Sequence, residues 1–305
     1  AGSVAFDPSR GDVPAVDDAQ RIAAFGSAQA AGLPEPAAEQ AAEPAAEPPA
    51  VSPTAAEQVT GPISAGVPAE TPATEPAPAK TTLSPELRAK LHAAPLASLS
   101  SQLRKRGLNH VSIDGVTRLP GGGKLVGVAA TLRFVPFRED LFSSHGGGCN
   151  AQKRAFDALA EGEVMVIEAR GEAGAGTLGD ILAIRAKALG AAGVVTDGAV
   201  RDHDTVAAVG IPVYSNGSHP AVLGRKHVPW DFGLTISCGG ATVQPGDIIV
   251  GDADGVLVIP PAIVEEGVDD ALAQEESDAF IAARAAEDEE LDGLFPMNAA
   301  WRARY

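Results

Sequence analysis

Two short apolar runs, separated by a glycine-rich loop and one helix-forming stretch, constrain the fold of this chain more than any other feature. Val164-Met165-Val166-Ile167 suits a buried strand, and Gly193-Val194-Val195-Thr196 begins a second. Between them lie a glycine-rich loop over 169–179 and good helix formers over 181–189, with Lys187 near the carboxyl end and Gly190 placed to stop the helix. This order spells a βαβ unit. Parallel strands joined by a right-handed crossover finish on the same sheet edge, so the loop before Asp180 and the segment 197–202 are expected to face one crevice.

The flanks differ in composition. Residues 1–80 hold more than half of the 24 prolines, many alanines and the spaced glutamates Glu35, Glu39, Glu43 and Glu47, with almost no large apolar side chains. Such a segment cannot bury enough surface to offset its ordering entropy, so it is expected to be a disordered Ala/Pro/Glu-rich tail, with one short helix over 17–31. Its role is that of a solubilising extension or a partner-docking arm. The folded domain is then 81–305.

A net charge of -17 argues against a nucleic-acid partner, because phosphate binding needs a concentrated basic surface; Arg104-Lys105-Arg106 is a short solvated face. Cys149 and Cys238 lie far apart without CxxC spacing, which indicates neither a disulfide framework nor a zinc site and fits a reducing cytoplasm. No run of 18 apolar residues is present, so no membrane partner is expected. Asn216-Gly217-Ser218 spells a glycosylation acceptor that has no role without a secretion signal.

Downstream of the tail, Ser84 is placed to cap a helix with Pro85 at its first position, and a second helix over 96–106 ends at Gly107. Strands are expected over 111–116 and 124–135, with a turn at Pro120-Gly121-Gly122-Gly123 between them. His145-Gly146-Gly147-Gly148 is similar to the oxyanion loop of some esterases, but no GxSxG nucleophile elbow accompanies it, so it reads as a turn before a helix over 151–160. Asp204 is placed to cap a helix over 205–209, a strand is expected over 211–214, and 217–233 reads as loop. Strands over 234–238, 241–243, 247–250 and 256–259 follow, and Asp252-Ala253-Asp254-Gly255 reads as a hairpin turn, since a calcium loop would need a distal glutamate. Pro260-Pro261 opens a long amphipathic helix over 262–292, which can pack on a neighbouring subunit.

Gly174, Gly176 and Gly179 satisfy the GxGxxG dinucleotide fingerprint by spelling, after a strand and before a helix. A dinucleotide fold repeats βα units across a wide parallel sheet, and only one such unit is legible. What survives is physical: amides at a helix N-terminus attract an anion such as a substrate carboxylate. Asp180 at that helix start reads as a cap when taken alone. Arg201-Asp202, just after the second strand and facing the same crevice, offers either a structural ion pair or a carboxylate-binding fork beside a hard oxygen ligand.

Gly179-Asp180-Ile181-Leu182, followed by Asp197-Gly198-Ala199-Val200 and Arg201-Asp202, closely resembles the RraA-like class II pyruvate aldolases, whose members include 4-hydroxy-4-methyl-2-oxoglutarate/4-carboxy-4-hydroxy-2-oxoadipate aldolase. Cys238-Gly239-Gly240, Pro245-Gly246-Asp247 and Asp252-Ala253-Asp254-Gly255-Val256 look like the same family, and the resemblance covers residues 83–305. It implies an α/β fold, an αββα sandwich related to the swivelling β/β/α phosphohistidine domain, assembled as a homotrimer or homohexamer with sites between subunits. It implies Asp202 as direct ligand of Mg²⁺ or Mn²⁺, Asp180 holding it through water, and Arg201 contacting the oxo-acid. The substrate carboxylate would be received by Gly179, Ile181 and Leu182 backbone, and Glu275 or Glu276 of a neighbouring subunit would complete the metal site. The implied activity is cleavage of a 4-hydroxy-2-oxo acid to pyruvate, with oxaloacetate decarboxylation beside it. A protein-binding role, as in the family's regulators of ribonuclease activity, is the rival, and a sugar-acid lyase or dehydratase is a third reading. Specificity is expected from loops over 134–149 and 216–232, where His145, Arg225, Lys226 and His227 are candidates for a distal contact.

Overall fold

A computed structural model describes residues 81–305 apart from residue 288. The expected tail over 1–80 and its helix over 17–31 lie outside the described residues. Ser84 caps α1 (Pro85–Ala93) as its spacing predicts, its hydroxyl accepting from the Leu87 amide at 3.1 Å. After α2 (Leu96–Lys105) come β1 (Thr117–Arg118), β2 (Leu125–Pro136), α3 (Glu139–His145) and α4 (Ala151–Asp157). The βαβ unit follows: β3 (Glu163–Glu168), β4 (Gly176–Leu178), α5 (Asp180–Ala188) and β5 (Gly193–Thr196). Then β6 (Ala199–Val200), α6 (His203–Val209), β7 (Val213–Ser215), β8 (His227–Phe232), β9 (Ile236–Cys238) and β10 (Ala241–Val243) lead to the hairpin β11 (Ile248–Gly251) and β12 (Val256–Ile259). The long helix α7 (Val264–Ala286) and short α8 (Ala299–Arg302) complete the chain.

The eight-stranded mixed sheet runs β1-β7-β5-β3-β2-β11-β12. Its middle is parallel, with β2, β3, β5 and β7 in line, and β11 and β12 are antiparallel additions. β2 is long enough to take two partners on one edge, β11 along its first half and β8 along its second. One face of β2 carries Val126 and Val128 into a core with α1, α2 and α7, then Leu132 and Phe134 into a core with α4, α5 and α6. The other face carries Leu125 and Ala129 against the β9–β10 hairpin. The chain thus builds the mixed α/β sandwich that the resemblance implied. Among the described residues no helix is long and apolar enough to cross a membrane.

Several elements differ from the sequence expectation. Residues 111–116 form no strand: Ser112 makes a lone bridge to Leu257, and the turn at Asp114-Gly115, where Gly115 has φ +75°, ends the pairing. Residues 217–233 are not all loop, because β8 docks along β2 and carries Pro229 opposite a register shift at Arg133/Phe134, where a missing amide costs nothing. The 134–149 stretch contains α3. Asp204 lies inside the first turn of α6, and the cap position belongs to Asp202. The Asp252–Gly255 turn does close a hairpin, the Asp252 amide donating to the Gly255 carbonyl at 3.1 Å.

Candidate functional site

The loop before α5 and the segment after β5 meet as the βαβ geometry requires. β4 and β6 pair in parallel beyond the main sheet, and the Arg201 amide donates to the Leu178 carbonyl at 2.8 Å. A cavity of about 230 Å³ opens there, lined by Gly179, Asp180, Ile181, Leu182, Arg201 and Asp202, with Gln152, Val222 and Leu223 on its far walls. The predicted residues Gly179, Asp180, Ile181, Leu182, Arg201 and Asp202 therefore share one crevice.

The glycines serve close approach. A Cβ on Gly176 would lie 2.6 Å from the Arg201 Cβ, so only glycine lets the β6 turn sit against the loop. The dinucleotide spelling fails structurally, because β4 intervenes between β3 and α5 and the loop does not pass directly from strand to helix.

Asp202 adopts φ 56° and ψ 42°, a left-handed backbone uncommon outside glycine and, among the other residues, tolerated best by aspartate and asparagine. It stands at the cap position of α6 without using its carboxylate as a cap; the helix is entered through its carbonyl, which accepts from Val206 at 2.9 Å. The carboxylate is left to the crevice. Arg201 Nε lies 3.6 Å from Asp202 Oδ2 with both side chains about two-fifths exposed (41% and 38%), a weak pair that leaves the guanidinium open to an anion.

The start of α5 is also prepared. Asp180 Oδ1 accepts from the Ile181 amide at 2.7 Å, and the Ala183 amide is the first to reach back into the helix ladder, to Gly179 at 3.1 Å. The Leu182 amide lies in the first turn, ahead of the first ladder bond, and makes no backbone bond there, so it is open to a ligand as helix N-terminal amides are.

Two carboxylates and an open, solvated crevice fit a hard cation that keeps most of its waters, as Mg²⁺ does, and do not form a dehydrated cage. Among the described residues no group of three or more His, Cys, Asp or Glu side chains gathers to hold a metal. Glu275 and Glu276 lie on α7, apart from the residues lining the crevice; Glu275 is engaged by Ser98 of α2 and Glu276 is exposed.

Asp197, next to β5, is buried and structural: its carboxylate accepts from the amides of Ala169, Gly171 (3.0 Å) and Gly239 (3.3 Å) and pins the loop. Of the four distal candidates, Arg225 is tied to the Gly174 carbonyl and His219, both at 3.0 Å, and Lys226 to Glu172 at 3.4 Å. His145 stacks on Trp230 with centroids 4.8 Å apart. His227 is withdrawn as a candidate for a distal contact. It is fully buried beside Phe134, and burial together with the nearby Arg170 guanidinium pushes its pKa down to about 4. The sequence reading also missed Gln152, Val222 and Leu223, which stand far from the motif along the chain.

This geometry sets a helix N-terminus and an Arg-Asp pair in one crevice at a strand edge, the place where α/β folds put their ligand sites. The chain matches the family described as RraA-like: Aldolase/RraA along residues 96–258, and it belongs to that family. It is similar to a protein of Halalkalibacterium halodurans named "Putative 4-hydroxy-4-methyl-2-oxoglutarate aldolase", 35% identical over 156 residues, 49% of this chain and 69% of that one. Its fold is similar to the crystal structure of Streptomyces coelicolor RraAS2, described as an unusual member of the RNase ES inhibitor RraA protein family. The TM-score there is 0.61 at 32% identity, covering 67% of this chain and 98% of that chain. A protein of Pseudomonas syringae pv. tomato is also similar, with TM-score 0.63 at 25% identity, covering 72% of this chain and 97% of that chain.

Proposed function

We propose that the protein is a divalent-cation-dependent carbon–carbon lyase, a class II aldolase that cleaves a 4-hydroxy-2-oxo acid to pyruvate and a carbonyl product, with oxaloacetate decarboxylation as a side activity. The observation that carries this reading is the left-handed Asp202, whose carboxylate is held out of its own helix cap beside Arg201, Asp180 and the free Leu182 amide. The name of the Halalkalibacterium halodurans relative supports the same chemistry.

A Mg²⁺ or Mn²⁺ held directly by Asp202 and through water by Asp180 would supply Lewis acidity at the 2-oxo group. Arg201 binds the oxo-acid, and the Leu182 amide, with that of Ile181 once Asp180 turns away, receives the 1-carboxylate. A water ordered by Asp180 takes the proton of the 4-hydroxyl, C4 becomes the carbonyl carbon of the product as the C3–C4 bond breaks, and that bond's electrons form the C2=C3 bond of an enolate whose negative charge, on the 2-oxygen, Arg201 stabilises. Protonation at C3 gives pyruvate. Oxaloacetate yields the same enolate on losing carbon dioxide. Assembly as a homotrimer or homohexamer is part of the proposal, with Glu275 or Glu276 of a neighbouring subunit reaching the site; the exposure of Ile181 (76%) and Ile184 (53%) beside the crevice supports a covered face.

Pyruvate release from oxaloacetate and from a panel of 4-hydroxy-2-oxo acids, with and without EDTA, tests the reading beside Asp202→Ala and Arg201→Ala. Asp202→Ala should abolish turnover, and Arg201→Ala should cost about 10- to 100-fold, as expected for a lost charge-assisted hydrogen bond. Equal activity in every condition contradicts the proposal. A second reading, a protein-binding regulator, is favoured by the description of RraAS2; capture of ribonuclease E by a chain with no lyase activity would establish it.

A further inference from the structure

Three successive carbonyls run from the end of β4 into the turn before α5, and each accepts from a different element. Gly179 accepts from Ala183 of α5, Leu178 accepts from the Arg201 amide, and Thr177 accepts from the side chain of Gln152 on α4 at 2.7 Å. The third bond is the unusual one. The β4–β6 register slips between Gly176 and Leu178, so Thr177 has no residue opposite, and its carbonyl must find a donor outside the ladder.

Gln152 meets that need from a buried position, 4% exposed, and Thr177 is itself fully buried. The Thr177 hydroxyl bonds to Thr196 Oγ1 at 2.9 Å and to the Ala199 carbonyl at 3.0 Å, and Thr196 Oγ1 accepts from the Gly198 amide at 3.0 Å. A polar seam therefore crosses an otherwise apolar layer from α4 through β4 to β5 and β6. Asp180 and Leu182 follow β4 along the chain, and Arg201 and Asp202 follow β6.

We infer that Gln152 is a positioning residue: through the Thr177 carbonyl it holds the β4–α5 turn, and with it the Leu182 amide and Asp180, in register with Arg201 and Asp202. The inference deepens the lyase reading, and only its kinetic arm rests on that reading. Without the amide donor the Thr177 carbonyl stays buried and unpaired, and the turn opens to regain water. The carboxylate cradle moves with it.

Hydrogen–deuterium exchange of the wild-type protein, Gln152→Met and Gln102→Met provides the test. The same change at Gln102, a buried glutamine bonded to Gln274 on the α7 side, is the control. Gln152→Met should exchange the segment 177–182 about 10-fold faster, as for one buried hydrogen bond lost, while Gln102→Met leaves it unchanged. In the kinetic arm, Gln152→Met should raise KM for the oxo-acid about 10-fold and lower kcat beside it, because the amide that receives the carboxylate and Asp180, which orders the water, both ride on the turn. Unchanged exchange at 177–182, equal acceleration over the whole domain, or a fall in kcat at constant KM would each overturn the inference. A wild-type protein without turnover would refute the lyase reading and leave the exchange comparison to decide the role of Gln152. If Gln152→Met yields no folded protein, Gln152→Asn, one methylene short of the carbonyl, is measured against the same outcomes.

Discussion

Replacing Gly176 by alanine should separate folding from activity. The added Cβ would stand 2.6 Å from the Arg201 Cβ and 3.1 Å from its amide nitrogen. Ordinary carbon–carbon contact needs about 3.6 Å, so the β6 turn must retreat by roughly 1 Å. Overpacking of this kind costs about 1–3 kcal/mol of stability, which a domain of this size survives. A 1 Å misplacement of a binding group costs on the order of 100-fold in rate, or about 2.7 kcal/mol of transition-state stabilisation. Gly176→Ala is thus expected to fold, to melt a few degrees lower, and to lose about two orders of magnitude in kcat/KM in a coupled pyruvate assay. Gly123→Ala is the control, since a Cβ there meets nothing within 4 Å. Wild-type kcat/KM in Gly176→Ala would refute the claim that close approach of Arg201 to the loop sets the site.

Asp202→Gly relieves the left-handed backbone and should raise stability by about 1 kcal/mol in denaturant melts while abolishing turnover; a less stable variant would show that the conformation carries no strain. His227 has its pKa pushed down to about 4, so between that value and the ordinary pH of about 6.5 the unfolded chain binds the extra proton; stability should fall as pH drops through this window, by up to about 3 kcal/mol. His227→Phe should flatten that acid limb in urea titrations. Cys238 is fully buried with its thiol pushed well above the usual range by burial, and Cys149 is exposed, so a thiol reagent should label one cysteine of the native domain and both after unfolding.

The central unit was legible because its signals are local: apolar runs of strand length, a helix between them, and the two short motifs that parallel topology brings together. Ser84, Pro85 and Gly107 announced helix ends for the same reason. β8 was hidden because Pro229 and the charged residues around it suppress the alternation of a strand, and its docking depends on β2 being long enough for two partners on one edge. The buried state of His227 and the pinning role of Asp197 follow from long-range packing that no spacing encodes. Gln152 carried no motif at all. Its polarity within a short helix that otherwise buries Ala151, Ala155 and Phe156 was the one signal available.

The most direct test of the account is pyruvate release from 4-hydroxy-4-methyl-2-oxoglutarate by the full chain, first stripped with EDTA and then supplied with Mg²⁺ or Mn²⁺. The account predicts that turnover disappears on stripping, returns with the cation, and never returns in Asp202→Ala. Full turnover in the stripped protein, or restoration by the cation in Asp202→Ala, would contradict it.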